Sequence, residues 1–177
     1  FREKLVIVSP DAGGAKRVRQ VSDTLNRDYG IRSRWAVSEK YRGDGGVEQV
    51  YVLDNVKGYN IVLLDDMVDS AGTAEKSVQA LRAKGANDIL IFTAHPIFSD
   101  PAVERLSELH RQGHILKVVG TDSVPQKQYE WFEQLSIAPL LAQTIFRVHN
   151  NMSVSDIYNH RDGSMVLSRP VSYYNGP

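Results

Sequence analysis

The run Ile61-Val62-Leu63-Leu64-Asp65-Asp66-Met67-Val68-Asp69-Ser70-Ala71-Gly72-Thr73 constrains this chain more than any other. Four consecutive apolar residues describe a strand buried on both faces, and such strands belong to parallel sheets covered by helices. Two carboxylates stand where that strand is expected to end. A short loop of Asp, Ser, Ala, Gly and Thr follows. A helical stretch from Ala74 to Lys84 comes next, closed by Gly85. A helix mouth directly after a strand attracts anions, because its first N–H groups have no internal partner and the helix dipole is positive there. Gly72 lets backbone approach a ligand closely, and the Ser70 and Thr73 hydroxyls can donate to phosphate oxygens. Asp65 and Asp66 can accept hydrogen bonds from sugar hydroxyls or hold a hydrated Mg²⁺. The expected ligand has a phosphate at one end and a diol or a metal at the other. Ribose 5-phosphate meets both conditions.

The same succession occurs at the start of the chain. Leu5-Val6-Ile7-Val8 is a short apolar run, followed by Ser9-Pro10-Asp11-Ala12-Gly13-Gly14. Val18, Val21 and Leu25 then recur at helical spacing. Asp11, at a strand end, is placed to touch a metal or a hydroxyl, although a plain turn would read the same. Neither glycine-containing loop is a Walker loop, since no Gly-Lys-Ser/Thr occurs, and no Gly-x-Gly-x-x-Gly opens a helix.

Between these units lie Ile31–Val37, read as a strand, a polar glycine-rich stretch from Ser38 to Gly46, and a further strand-like run from Val47 to Leu53. This reads as a flexible hairpin-like arm. In an extended segment Lys40 and Arg42 point the same way, since the side-chain period is two. Two cations on such an arm can close over phosphates, and a solvated surface loop is the plainer alternative. Further on, Asp88–Ala94 and Leu116–Gly120 read as strands. Ser99-Asp100-Pro101 reads as a helix start with a capping Ser or Asp, followed by Ala102, Leu106 and Leu109 on one face. His95 stands at a strand end, as a structural histidine or a cleft residue. Thr121-Asp122-Ser123 fits equally a ligand edge or a capped turn. Tyr129–Ser136 reads as irregular, with Trp131 and Phe132 in the core. A helix from Leu140 to Val148 is expected to turn Leu141, Ile145 and Val148 inward.

Strand, loop and helix recurring without a sequence repeat call for an α/β fold: a mostly parallel sheet with helices on both faces. A length of 177 residues suits one such domain. Acidic and basic residues balance at 21 each, so charge gives no reason to expect nucleic acid or an anionic membrane as partner. No apolar run approaches the ~20 residues needed to cross a bilayer. The absence of cysteine excludes a disulfide framework and thiol chemistry, and is compatible with a reducing cytosol. The chain opens at Phe1, almost directly on its first strand, and is expected to be one half of a longer polypeptide or a trimmed product.

The Asp65–Thr73 string resembles the ribose-5-phosphate loop of proteins that make or consume phosphoribosyl diphosphate (PRPP). Ser9-Pro10-Asp11-Ala12-Gly13-Gly14-Ala15-Lys16-Arg17 resembles the motif opening the C-terminal domain of PRPP synthases, and the Lys40-x-Arg42 pair and Ser153-Val154-Ser155 have counterparts there too. The resemblance implies a type I phosphoribosyltransferase-like domain over residues 1–158, with 159–177 as a C-terminal extension. It implies ribose-phosphate diphosphokinase activity: a cytoplasmic enzyme of nucleotide biosynthesis that takes ATP and ribose 5-phosphate, with Mg²⁺ as cofactor. Lys40 and Arg42 would be catalytic. Asp65, Asp66, Asp69, Ser70, Ala71, Gly72 and Thr73 would hold ribose 5-phosphate, and Asp11 would help place the metal. Ser153 and Ser155 would belong to an allosteric phosphate site at a subunit contact of a homo-oligomer, a hexamer in the family. An N-terminal domain carrying much of the ATP site would be missing from this chain. The alternatives are a pyrophosphokinase for another 5-substituted ribose such as ADP-ribose, a phosphoribosyltransferase, and a non-catalytic synthase-associated subunit.

Overall fold

The computed structural model describes residues 4–42, 48–52 and 54–159. Its sheet grows outward from the two most apolar runs. β1 (Leu5–Ser9) is buried at every position and lies parallel to β4 (Asn60–Val68), with Val8 opposite Leu63. β2 (Ser33–Arg42), β3 (Glu48–Val52), β5 (Ile89–Pro96), β6 (Lys117–Thr121) and β7 (Phe132–Leu135) complete the order β3-β2-β1-β4-β5-β6-β7. All strands run parallel except β3, which pairs antiparallel with β2.

Continuous apolar runs are needed because both faces are covered. Val6, Val8, Ile61, Leu63, Ile89, Ile91 and Val118 pack with Val78 and Leu81 of α2 (Gly72–Ala83) and with Leu106 and Leu109 of α3 (Ala102–Arg111). On the opposite face Leu5 and Ile7, with Val62 and Leu64, meet Val18, Val21 and Leu25 of α1 (Ala15–Asp28). Leu63 is 1% exposed at the centre of the larger core. Truncating such a side chain to alanine costs about 2–5 kcal/mol.

The connections create the site. α1 carries the chain from β1 outward to β2, and α2 carries it from β4 outward to β5, in opposite directions along the sheet. Crossovers of one hand travelling in opposite directions lie on opposite faces. The loops leaving β1 and β4 therefore diverge, and a crevice opens at the strand C-termini between them.

Several local expectations need correction. β4 runs on to Val68, so Asp65 and Asp66 stand within the strand and not at its end, and α2 begins at Gly72, not Ala74. Residues 132–135 form β7, paired with β6 through Val119 and Glu133, where the sequence reads as irregular. Trp131 is buried, as expected, with its indole N–H on Ser107 Oγ at 2.8 Å and its ring edge-on to Phe98. No Ser or Asp side chain caps α3. Pro101 occupies the capping position after a cis Asp100–Pro101 bond, while the Ser99 hydroxyl is engaged by Asp69. α4 (Ala138–His149) forms, but Leu141, Ile145 and Val148 are 51%, 68% and 61% exposed instead of inward. The helix is amphipathic in sequence, yet no described element covers its apolar side. A four-residue helix, α5 (Asp156–Asn159), follows it. Among the described residues no helix is long and apolar enough to cross a membrane.

The hairpin-like arm is formed by β2 and β3, with Lys40 opposite Val50 and Arg42 opposite Glu48. The expected roles of the Lys40 and Arg42 side chains, the arm's tip at 43–47, and the extension from 160 to 177 lie outside what the structure describes.

Candidate functional site

The crevice holds a cavity of about 360 Å³, lined by Asp11 and by the unbroken run from Asp65 to Ala74. Seven expected substrate-binding residues and the expected metal-side carboxylate thus share one cavity. Asp11 arrives from the end of β1, the two adjacent acids from β4, and the rest from the loop into α2. Ala71 has φ +60°, a left-handed conformation uphill for any residue but glycine, and its carbonyl accepts the first helical bond from the Glu75 N–H at 2.9 Å. Gly72 lines the cavity, but the space it leaves faces elsewhere. A Cβ there would lie 3.2 Å from Arg105 Nη1 on α3.

The two adjacent aspartates are electrostatically unlike. Burial pushes the Asp65 carboxyl up to about 6, with the Asp66 and Asp11 charges adding to it. For Asp66 desolvation acts upward too, but Asp65 and the Arg17 guanidinium, 3.1 Å away, outweigh it and hold the carboxyl below its ordinary range. Asp11 accepts from the Gly14 N–H at 3.2 Å, and the Ser9 hydroxyl donates to the Asp11 carbonyl at 2.7 Å. These bonds fix the first loop. A Cβ at Gly14 would run into the Ser9 hydroxyl, so this glycine serves the turn. Asp69 accepts from the Ser99 hydroxyl, which ties the phosphate-type loop to the segment before α3.

Two arginines join the site that the residue pattern alone does not single out. Arg17 lies in the first turn of α1, a turn with no acid, where a cation opposes the helix dipole. A cation there runs against the usual preference of a first helical turn, which does not name its partner. Arg105 stands three residues after Ala102 and four before Leu109, at the edge of the buried face of α3. Its Nη1 donates to the Ser70 carbonyl at 2.8 Å. An arginine at the rim of an apolar stripe is the available cue, and it does not name the partner.

The other candidates stand apart from the cavity. His95 Nδ1 is 2.9 Å from Ser123 Oγ, and the Thr121 and Ser123 hydroxyls both donate to the Ala94 carbonyl. Asp122 accepts from the Ile137 N–H at 2.8 Å and the Ser136 hydroxyl at 2.6 Å. These bonds are those of a capped turn. Ser153 and Ser155 hydroxyls are 2.7 Å apart, with Arg147 Nη1 on the Ser153 carbonyl at 2.9 Å, and neither serine lines the cavity.

Among the described residues no three acidic or imidazole groups converge as a closed metal site. Mg²⁺ does not require one. It keeps several waters and binds through one or two carboxylates together with substrate phosphates, and the hard oxygens of Asp11, Asp65 and Asp66 around one cavity suit that mode.

A family model described as "phosphoribosyl synthetase-associated domain" matches residues 46–159. The ribose-phosphate pyrophosphokinase of Listeria ivanovii is 38% identical over 160 residues, which are 88% of this chain and 47% of that protein. The Bacillus subtilis protein of the same name is 37% identical over 161 residues, 89% of this chain and 48% of the relative. A solved phosphoribosylpyrophosphate synthetase from Mycobacterium smegmatis superposes with a TM-score of 0.73 at 35% identity, over 84% of this chain and 46% of that one. The chain spans about half the length of the curated relatives it matches.

Proposed function

Given that this chain belongs to the phosphoribosyl synthetase-associated domain family, we propose that residues 1–158 are the sugar-phosphate-holding part of a ribose-phosphate diphosphokinase. The reaction transfers the diphosphoryl group of Mg-ATP to ribose 5-phosphate. The anomeric hydroxyl attacks the β-phosphorus, a new O–P bond forms, the bond from the β-phosphorus to the oxygen bridging it to the α-phosphate breaks, AMP leaves with that oxygen, and the hydroxyl proton passes to solvent. The products are PRPP and AMP.

The observation that carries this reading is the cavity at the β1/β4 seam that brings the mouth of α2 together with Asp11, Asp65 and Asp66. Asp69, Ser70, Ala71, Gly72 and Thr73 hold the 5-phosphate through N–H groups and hydroxyls. Asp65 and Asp66 orient the ribose hydroxyls, and Asp11 places the metal side of the substrate. Mg²⁺, when bound, draws charge from the phosphates. Lys40 and Arg42 on the β2–β3 arm neutralise charge on the group in transit. No protein nucleophile takes part, so positioning and electrostatics carry the rate. ATP contacts also come from parts of the protein beyond this half-length chain. The protein works in the cytoplasm as a homo-oligomer, with Ser153 and Ser155 near an allosteric phosphate.

The full-length protein, given Mg-ATP and either ribose 5-phosphate or ADP-ribose, should form AMP with the first acceptor and release PRPP. AMP formation with ADP-ribose alone would transfer the reading to that acceptor. Binding of ribose 5-phosphate without turnover, even beside a catalytic partner, would mark a synthase-associated subunit instead.

A further inference from the structure

Arg105 is outside the cavity lining, yet it reaches the loop that forms one wall. From α3 its Nη1 donates to the Ser70 carbonyl at 2.8 Å, and its Nε lies 3.2 Å from the Glu75 carboxylate in the first turn of α2. One planar guanidinium therefore ties the loop to the helix it opens. We propose that Arg105 is a positioning residue for the 5-phosphate: it turns the Ser70–Ala71 peptide so that its N–H faces the cavity. This rests on the ribose-5-phosphate reading given above.

Three observations carry the inference. In a trans peptide the carbonyl and the following N–H point in opposite directions. Holding the Ser70 carbonyl toward α3 directs the Ala71 N–H away from α3, toward the side on which Ala71 lines the cavity. Next, Ala71 sits at φ +60°, a conformation alanine does not favour and which needs an outside hold. The Arg105 bond to the preceding carbonyl supplies one. Finally, the loop is bare where Arg105 approaches, since a Cβ at Gly72 would stand 3.2 Å from Nη1.

Charge adds a second effect through the same residue. Glu75 suits a helix N-terminus, but its carboxylate would repel a phosphate bound at that mouth. The Arg105 ion pair offsets this, so the positive end of the helix dipole remains available to the ligand.

The test uses the full-length protein with Arg105→Ala, Arg105→Lys and the double variant Arg105→Ala/Glu75→Gln. Binding of ribose 5-phosphate is measured by calorimetry, with KM for each substrate, kcat and thermal midpoint. Arg105→Ala should weaken ribose 5-phosphate about tenfold or more in Kd and KM, with KM for ATP within about twofold. Arg105→Lys, which keeps the charge but loses the fork, should recover part of the loss at a near-native midpoint. The double variant should recover the share due to the Glu75 charge. Unchanged ribose 5-phosphate affinity in both single variants overturns the inference. So does an equal loss toward both substrates that tracks a lowered midpoint. A native protein that fails to bind ribose 5-phosphate at all overturns the functional reading itself, and does so before any substitution is made.

Discussion

Arg17 Nη2 and Asp66 Oδ2 are 3.1 Å apart, so an ion pair crosses the seam between the first turn of α1 and the end of β4. The pair connects the two loops that the strand-order reversal drives apart. Both side chains are about half exposed, at 41% and 54%. Water and salt therefore screen the attraction, and its contribution to folding is below about 1 kcal/mol. Arg17→Met should lower the unfolding free energy in urea by no more than that, and the difference should shrink as salt is raised. A larger, salt-independent loss would show that Arg17 is held by packing.

Asp65 gives a pH dependence of stability with a definite sign. Burial holds its carboxyl at about 6 in the folded chain, above its ordinary value of 3.8. The folded state thus keeps a proton that the unfolded state has already released. That stabilisation is whole below pH ~4 and is lost as pH rises through 6. Asp65→Asn removes the ionisation and retains an acceptor for the Asp66 N–H, now 2.9 Å from Asp65 Oδ1. The variant should match the parent near pH 4 and exceed it above pH 7. Screening at this half-buried site reduces the gain to about 1 kcal/mol. Thermal midpoints across pH 4–8 measure it, and a gain largest at low pH would reverse the assignment.

Gly14 and Gly72 open the two helices of the site, yet alanine should act differently at each. At Gly14 the new Cβ runs into the Ser9 hydroxyl, and Ser9 is 1% exposed in β1. Overpacking there should cost about 1–3 kcal/mol. At Gly72 the φ is not left-handed and the obstacle is the end of a long side chain, Arg105 Nη1 at 3.2 Å. Gly72→Ala should change stability by less than about 1 kcal/mol, because the gain of alanine in a helix offsets the disturbed Arg105 contacts. Its ribose 5-phosphate affinity should fall as Arg105 is displaced. Denaturation and calorimetry on the two variants separate the effects, and matching stability losses would refute the contrast.

The strand, loop and helix units were legible because their runs are long and buried on two faces, as at Leu5–Val8 and Ile61–Leu64. The cavity's lining was legible too, since Asp65–Thr73 is contiguous and its residue types carry their chemistry with them. What escaped depended on contacts distant in sequence. Arg105 meets Ser70 across 35 residues and Arg17 meets Asp66 across 49, and no local pattern announces such pairs. β7 is four residues with polar Glu133 and Gln134 at its centre, too short for periodicity to show. α4 misled in the other direction. Its spacing of Leu141, Ile145 and Val148 is that of a buried face, and period alone specifies which side is apolar, not what covers it.

Lys40 and Arg42 lie two residues apart in β2, opposite Val50 and Glu48 of β3. β3 is the edge strand of the sheet, next to β2. If Lys40 stabilises charge on the phosphoryl group in transit, its removal should act on kcat and spare the folded state. Loss of a comparable preorganised donor costs about 10²–10³ in rate. Lys40→Ala in the full-length protein should therefore reduce turnover by that order, with the thermal midpoint and ribose 5-phosphate binding close to native. Single-turnover AMP release under saturating Mg-ATP isolates the chemical step, and an unchanged rate there would remove Lys40 from the mechanism while leaving the Asp65–Thr73 site intact.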